Sequence, residues 1–226
     1  MGFHEQIHEA LVELERSSLR RNPLRVSGSQ GPEIEIDGRR VICLCSNNYL
    51  GLAAHPKLAA AARASLEEDG LGAAASRLVT GTMDAHREAE AALARFVGAP
   101  DAALFSTGYA ANVGALQSLA GPGDLLFSDA LNHASLIDGC RLSRATVHVY
   151  RHADPSHLES LLREHRSGGR RAIILSDSLF SMDGDAAPLA QLSDLAKRFD
   201  AGLFVDEAHA LGVLGPSGRG LAAAVG

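Results

Sequence analysis

Four polar clusters hold the residue types that do chemistry in this chain of 226 residues: Ser106-Thr107-Gly108; Ser128-Asp129 with Asn132-His133; Ser176-Asp177 through Ser181-Met182-Asp183-Gly184; and Asp206-Glu207-Ala208-His209. Each follows an apolar run. Asp206 closes the run 202–205, where an unpartnered carboxylate would be costly, so it calls for a cationic or N–H partner. A protonated heterocycle nitrogen would serve, and so would a nearby arginine. Ser106-Thr107-Gly108-Tyr109 joins an apolar run to a helical stretch. Gly108 permits a tight turn there, and the free N–H groups and dipole of a helix start favour an anion, best a phosphate. An ordinary N-cap with no ligand is the other reading of these four residues. Any single cluster suits the polar end of a strand, but four on one rim point to a site.

The elements that would position them form a regular series. Apolar runs at 102–105, 125–127, 146–150, 172–175 and 202–205 alternate with helical stretches at 109–119, 133–143, 155–166 and 188–199. Short strands separated by helices of that length predict parallel pairing through right-handed crossovers, and an α/β fold. The continuous apolarity of the strands predicts burial on both faces. In such a sheet ligands bind beyond the carboxyl ends of the strands, where the four clusters fall. Ahead of this region, Ile7, Leu11 and Leu14 at helical spacing predict an amphipathic helix over 3–21, ended by Asn22-Pro23. Residues 33–36, the Asp37-Gly38 pair and residues 39–45 predict a β-hairpin. Helices are predicted at 56–68, with Pro56 in the first turn, and at 84–96, with Asp84 as N-cap. The natural division is an N-terminal helix and hairpin segment over 1–54 and a large domain over 55–226.

Composition removes several function classes. A net charge of −6 with scattered Lys and Arg offers no basic face for nucleic acid or an acidic membrane. No apolar run nears the roughly 20 residues of a membrane helix. Three cysteines, Cys43, Cys45 and Cys140, are too few for a disulfide framework and suit a reduced, cytoplasmic compartment. His4-Glu5-Gln6-Ile7-His8 matches a zinc-protease pattern, but Ile7 belongs to the apolar stripe and no third ligand is evident, so no metal is expected. Asp206-Glu207-Ala208-His209 spells a helicase box without any G-x-x-x-x-G-K-[ST] loop to hold a nucleotide. G-x-G-x-x-G after the first parallel strand and G-x-S-x-G are both absent. What remains is a phosphate-bearing ligand that is neither ATP nor NAD.

Read together, the motifs resemble the α-oxoamine synthases, a branch of the fold-type I pyridoxal-phosphate enzymes. The resemblance rests on Ser46-Asn47-Asn48-Tyr49-Leu50-Gly51-Leu52, Ala75-Ser76-Arg77-Leu78-Val79-Thr80-Gly81-Thr82 and Ser106-Thr107-Gly108-Tyr109-Ala110-Ala111-Asn112. It continues in Asp129-Ala130-Leu131-Asn132-His133-Ala134-Ser135, Phe180-Ser181-Met182-Asp183-Gly184-Asp185 and Asp206-Glu207-Ala208-His209. These stretches stand in family order over nearly the whole chain. They imply an aspartate-aminotransferase-like large domain with a mainly parallel sheet between helices. The variant at 75–82 is similar to that of members joining L-alanine to a pimeloyl thioester, on CoA or acyl carrier protein, with loss of carbon dioxide, early in biotin synthesis. Glycine C-acetyltransferase, aminolevulinate and sphingoid-base relatives are the alternatives within the family. A non-catalytic protein of the same fold is the alternative outside it.

The resemblance assigns pyridoxal 5'-phosphate as cofactor and gives each residue a role. Backbone N–H groups of Gly108 and Tyr109 would hold its phosphate, His133 would stack on its ring, and Asp206 would pair with the ring nitrogen. Ser181 and His209 would bond the phenolic oxygen, and Arg20 and Asn47 would face the substrate carboxylate. Each has a plainer reading as well: a helix-start residue for His133, a turn for Ser181, a loop bond for His209, a solvated cation for Arg20, a turn cap for Asn47. The family forms homodimers with sites at the subunit junction. Its Schiff-base lysine comes one strand and loop after the Asp-x-Ala-His stretch. The lysines here are Lys57 and Lys197, both at positions expected to be solvated. The expectation is therefore an N-terminal part of such an enzyme, inactive alone and binding the cofactor at most weakly and without a covalent bond.

Overall fold

The structure, a computed structural model, describes residues 1–166 and 170–225, which fall into two compact units, Met1–Gly70 and Leu71–Gly226. In the first unit, helix α1 (Phe3–Arg16) opens with the Gly2 N–H on Glu5 Oε2 at 2.6 Å and carries Ile7, Leu11 and Leu14 along one half-exposed face. It ends well before Asn22-Pro23. Ser18 takes φ 56°, and Leu19 N–H reaches back to the Leu14 carbonyl, a left-handed cap that closes the last turn early. Strands β1 (Val26–Ser27), β2 (Glu33–Ile36) and β3 (Arg39–Ile42) form an antiparallel sheet in that order. Asp37 and Gly38, at φ 49° and 76°, make the two-residue turn that Asp-Gly favours between β2 and β3. Helix α2 (Pro56–Asp69) begins on proline, with the Lys57 N–H on His55 Nδ1.

The second unit holds helices α3 (Asp84–Val97), α4 (Gly108–Leu119), α5 (Ala134–Ser143), α6 (Pro155–His165) and α7 (Leu189–Arg198). Its strands are β4 (Leu125–Asp129), β5 (Thr146–Tyr150), β6 (Ala172–Asp177) and β7 (Gly202–Asp206), all parallel, in the order β5-β4-β6-β7. Successive side chains alternate between two cores, as the period of a strand requires. Leu126, Ile173 and Leu175 meet Leu116 of α4 and Leu136 and Cys140 of α5, while Phe127 and Ile174 meet Leu158 and Leu162 of α6 and Leu192 and Leu195 of α7. Burial on both faces holds for β4 and β6. It fails for β5, where Thr146, Val147 and Val149 are exposed because this strand lies at the sheet edge.

Two further expectations are corrected. Asp84 is the first helical residue of α3, not its cap; Met83 stands at the cap and its N–H is taken by His86 Nδ1 at 3.2 Å. Residues 102–105 form no strand. Leu104 N–H donates to the buried Glu90 carboxylate (3.0 Å) and its carbonyl accepts from Arg77, so side chains take the polar groups that a ladder would otherwise use. The bond from Leu104 and the Arg77 guanidinium at 2.7 Å hold the Glu90 carboxyl below its ordinary pKa.

Candidate active site

The carboxyl ends of β6 and β7, the loops that follow them, and the amino ends of α4 and α5 converge on one cavity that is partly open to solvent. Thr107 caps α4, its Oγ1 accepting the Ala110 N–H at 3.0 Å. Gly108 and Tyr109 line the cavity, and their amides precede the first intrahelical bond, Ala111 N–H on the Thr107 carbonyl, at the positive end of the helix. A Cβ built on Gly108 would meet no atom within 4 Å, so the backbone there stands open to an approaching group.

One turn further along α4, Asn112 reaches the opposite wall. Its Nδ2 donates to Asp206 Oδ2 at 2.6 Å and to Ser135 Oγ at 2.8 Å. Ser135 Oγ lies 2.7 Å from His133 Nδ1, and the Ser135 N–H also points at Nδ1, at 3.3 Å. A backbone N–H can only donate, so Nδ1 is the bare nitrogen of a neutral imidazole and Nε2 carries the proton; this tautomer is inferred from the bonding pattern. The result is one chain that runs outward from Asn112, which donates to Asp206 on one side and to Ser135 on the other, with Ser135 in turn on His133, and it fixes a carboxylate on one side of the cavity and an imidazole on another. Asp206 Oδ1 accepts the Ala208 N–H at 2.8 Å, so both carboxylate oxygens are oriented.

Asp177 pairs with Asp206 across β6 and β7 and accepts the His133 N–H at 2.8 Å. Burial, helped by the charge of Asp206, pushes its carboxyl up to about 6 against the His133 bond that lowers it. Asn132 serves the fold: Nδ2 bonds Ser128 Oγ and the Leu175 carbonyl, and Oδ1 accepts the Asp177 N–H. The Tyr109 hydroxyl donates to Asp138 Oδ2 at 2.9 Å, which holds the phenol above its ordinary pKa.

Of the residues expected from sequence, Gly108, Tyr109, His133, Ser181, Asp206 and His209 all line this cavity. Arg20 and Asn47 belong to the first unit. There Arg20 pairs with Glu15 at 2.9 Å, and Asn47 Oδ1 accepts from the Tyr49 hydroxyl at 3.4 Å. Asp177, from the cluster after the third apolar run, lines the cavity too, and so do Asn112 and Ser135, which stand in the resembling motifs without an assigned role. Asn112 stands four residues after Gly108 and Ser135 two after His133, so the helical period from Gly108 was the available signal for the first. Lys197 is exposed on α7, and among the described residues no lysine lines the cavity. Nor does any group of three His, Cys, Asp or Glu among them stand ready to hold a metal ion.

Residues 39–225 match the model of the aminotransferase class I and II family. The chain belongs to that family. Among family members it is 50% identical over 214 residues to the 8-amino-7-oxononanoate synthase of Geobacter metallireducens, covering 95% of this chain and 54% of that protein. It is 49% identical over 222 residues to the enzyme of the same name from Aromatoleum aromaticum, covering 98% and 57%. The chain thus spans about half the length of the curated relatives it matches. Among solved structures, a Sphingomonas wittichii serine palmitoyltransferase superposes with a TM-score of 0.88 at 36% identity, covering 99% of this chain and 56% of that one. A serine palmitoyltransferase variant from S. paucimobilis, solved with bound PLP and myriocin, gives 0.88 at 34%, covering 97% and 56%. The 8-amino-7-oxononanoate synthase of Francisella tularensis gives 0.65 at 32%, covering 80% and 49%. The parallel sheet between two layers of helices is the architecture these family members share with it.

Proposed function

We propose that this chain is the cofactor-binding part of a pyridoxal-phosphate-dependent acyltransferase that condenses L-alanine with a pimeloyl thioester, with loss of carbon dioxide, to give 8-amino-7-oxononanoate. The observation that carries the reading is that one cavity is lined both by the first residues of α4 and by the oriented Asp206 carboxylate, which Asn112, one turn along α4, bonds at 2.6 Å. Its polar groups fit the cofactor: an anion site at a helix start, an acid for a ring nitrogen, and an imidazole beside it. The names of the two relatives at 50% and 49% identity support the choice of substrates.

When bound, pyridoxal phosphate supplies an electron sink for a carbanion at the amino-acid Cα. The chain's own residues hold and tune that sink. The Gly108 and Tyr109 amides bind the phosphate, and Asp206, held by Asn112 and Ala208, keeps a proton on the ring nitrogen. His133, locked by Ser135, presents its ring to the cofactor face, and Ser181 and His209 bond the phenolic oxygen. Arg20 and Asn47 bind the substrate carboxylate, the acyl group arrives on CoA or acyl carrier protein, and the assembled protein is a cytoplasmic homodimer. Leu71, Leu78 and Met182, each more than 90% exposed, suit such an association.

Among the described residues no lysine lines the cavity, which favours, for residues 1–226 by themselves, binding without turnover. Borohydride treatment of the loaded chain should therefore attach no pyridoxyl group to a residue lining the cavity, any label falling on exposed amines such as Lys57 and Lys197. A chain extended to the length of its relatives should release thiol only when L-alanine and pimeloyl-CoA are both present. Equal release with glycine, or with a short or long-chain acyl-CoA, would assign the chain to another α-oxoamine synthase activity.

A further inference from the structure

His152, two residues past β5, lies outside the cavity lining yet joins two pieces of its rim. Its Nδ1 stands 2.9 Å from Asp129 Oδ1 and its Nε2 2.8 Å from Asp185 Oδ2. Ionised carboxylates only accept, so both ring nitrogens must donate, which requires the imidazolium form. Asp129, buried at the end of β4, is itself fixed by the N–H groups of Leu131 and Ala153, each at 2.8 Å. Asp185 sits on the far limb of a small hairpin in which Leu179 faces Ala186. That hairpin is closed by Phe180 N–H on the Asp185 carbonyl, Gly184 N–H on the Phe180 carbonyl and Ala187 N–H on the Ser178 carbonyl. Its turn carries Ser181, which lines the cavity. Phe180, the buried anchor of the hairpin, meets the His152 ring edge-on at 4.4 Å.

We propose that His152 is a positioning residue: as an imidazolium it ties the Ser181 hairpin to the end of β4, and through it to the loop bearing His133, and its deprotonation releases the hairpin. The role at the cofactor rests on the reading under Proposed function; the clamp itself does not. The charged groups facing His152 are Asp129 from β4 and Asp185 from the hairpin. Arg151, next in the chain, turns instead to Asp154 at 2.8 Å, and His157 of α6 takes the Arg151 N–H at 2.8 Å. Burial alone would lower the imidazole, but the bonds and charges of Asp129 and Asp185 outweigh it and hold His152 above the ordinary value. A cation with a raised folded pKa contributes fully below its unfolded value, about 6.5, and loses that contribution as pH rises through the raised value. The clamp is closed around pH 6.5, where both carboxylates are ionised, and opens as pH rises through the raised value.

The test compares the 226-residue chain with H152Q and D185N. Proton NMR would follow the His152 titration, hydrogen exchange would give protection factors for the Phe180 and Gly184 amides without cofactor, and dialysis would give pyridoxal 5'-phosphate affinity against pH. Protection of the two amides should fall about tenfold as His152 loses its proton, in step with weaker cofactor binding. In H152Q protection should be low at every pH, and the difference between its affinity profile and the parent's should trace the His152 titration. In D185N the His152 titration should move down. The β6 amides should be unchanged throughout. An ordinary or lowered His152 pKa, pH-independent protection, or parent-like protection in H152Q would overturn the proposal. Should protection follow the titration while pyridoxal phosphate fails to bind at any pH, the clamp stands and the cofactor reading is what falls.

Discussion

Asn112 is the residue on which the cavity's geometry turns, and Asn112→Ala isolates its contribution. Its carboxamide is 8% exposed and spends both N–H groups inside the site, at 2.6 Å on Asp206 and 2.8 Å on Ser135. The first is a charge-assisted bond, of about 1.5–3 kcal/mol, and the second a neutral one of about 1 kcal/mol. Asp206 is only half-buried, so water can replace part of the loss, and the net cost to folding should be about 1–2 kcal/mol. For the cofactor the loss is one of orientation: Asp206 keeps the Ala208 bond but is free on Oδ2, and His133 loses the donor behind Ser135. If that is worth about 1.4 kcal/mol, pyridoxal phosphate should bind about tenfold more weakly. Urea melts would read the stability term and equilibrium dialysis the affinity. Affinity within about twofold of the parent, with the stability loss present, would show that the Asn112 chain does not orient Asp206 for a ligand.

Other outcomes follow from the same structure. Asp177 carries a folded pKa raised to about 6, so it opposes folding once ionised: its penalty is absent below about 4 and complete above about 6. Asp177→Asn, whose amide oxygen can still accept the His133 N–H, should gain stability over the parent near pH 7.5 and none at pH 3.5, by urea melts at the two values. Gly139→Ala would place a Cβ 2.8 Å from Leu116 Cδ1 and 3.2 Å from the Asn112 carbonyl, forcing α5 from α4; calorimetry should show a loss of about 1–3 kcal/mol. Burial pushes the Cys140 thiol up to about 11, so at pH 8 a thiol reagent should label Cys43 and Cys45 quickly and Cys140 only after unfolding.

The sheet was legible because its strands are short apolar runs separated by stretches of helix length, and the Asp37-Gly38 turn because few residue pairs accept two positive φ angles. Residues 102–105 were misread for a physical reason. Apolarity marks a segment that suits a strand, but a strand exists only where a ladder partner does, and here Glu90 and Arg77 take the polar groups instead. Gly108, His133 and Asp206 could be found as polar residues ending apolar runs. Asn112 and Ser135 could not be singled out that way, because their importance lies in bonds across 23 to 94 residues of sequence. Arg20 and Asn47 rest on resemblance alone, since no spacing rule ties them to the sheet.

The central claim is that Asp206 holds a proton on the nitrogen of a ring whose phosphate sits at the start of α4. The nitrogen-15 chemical shift of ring-labelled pyridoxal 5'-phosphate, bound to the 226-residue chain at pH 8, reads that proton directly. A pyridinium shift that turns to the neutral pyridine value in Asp206→Ala is the predicted result. A neutral shift in the unaltered chain, or one that ignores the substitution, would contradict it.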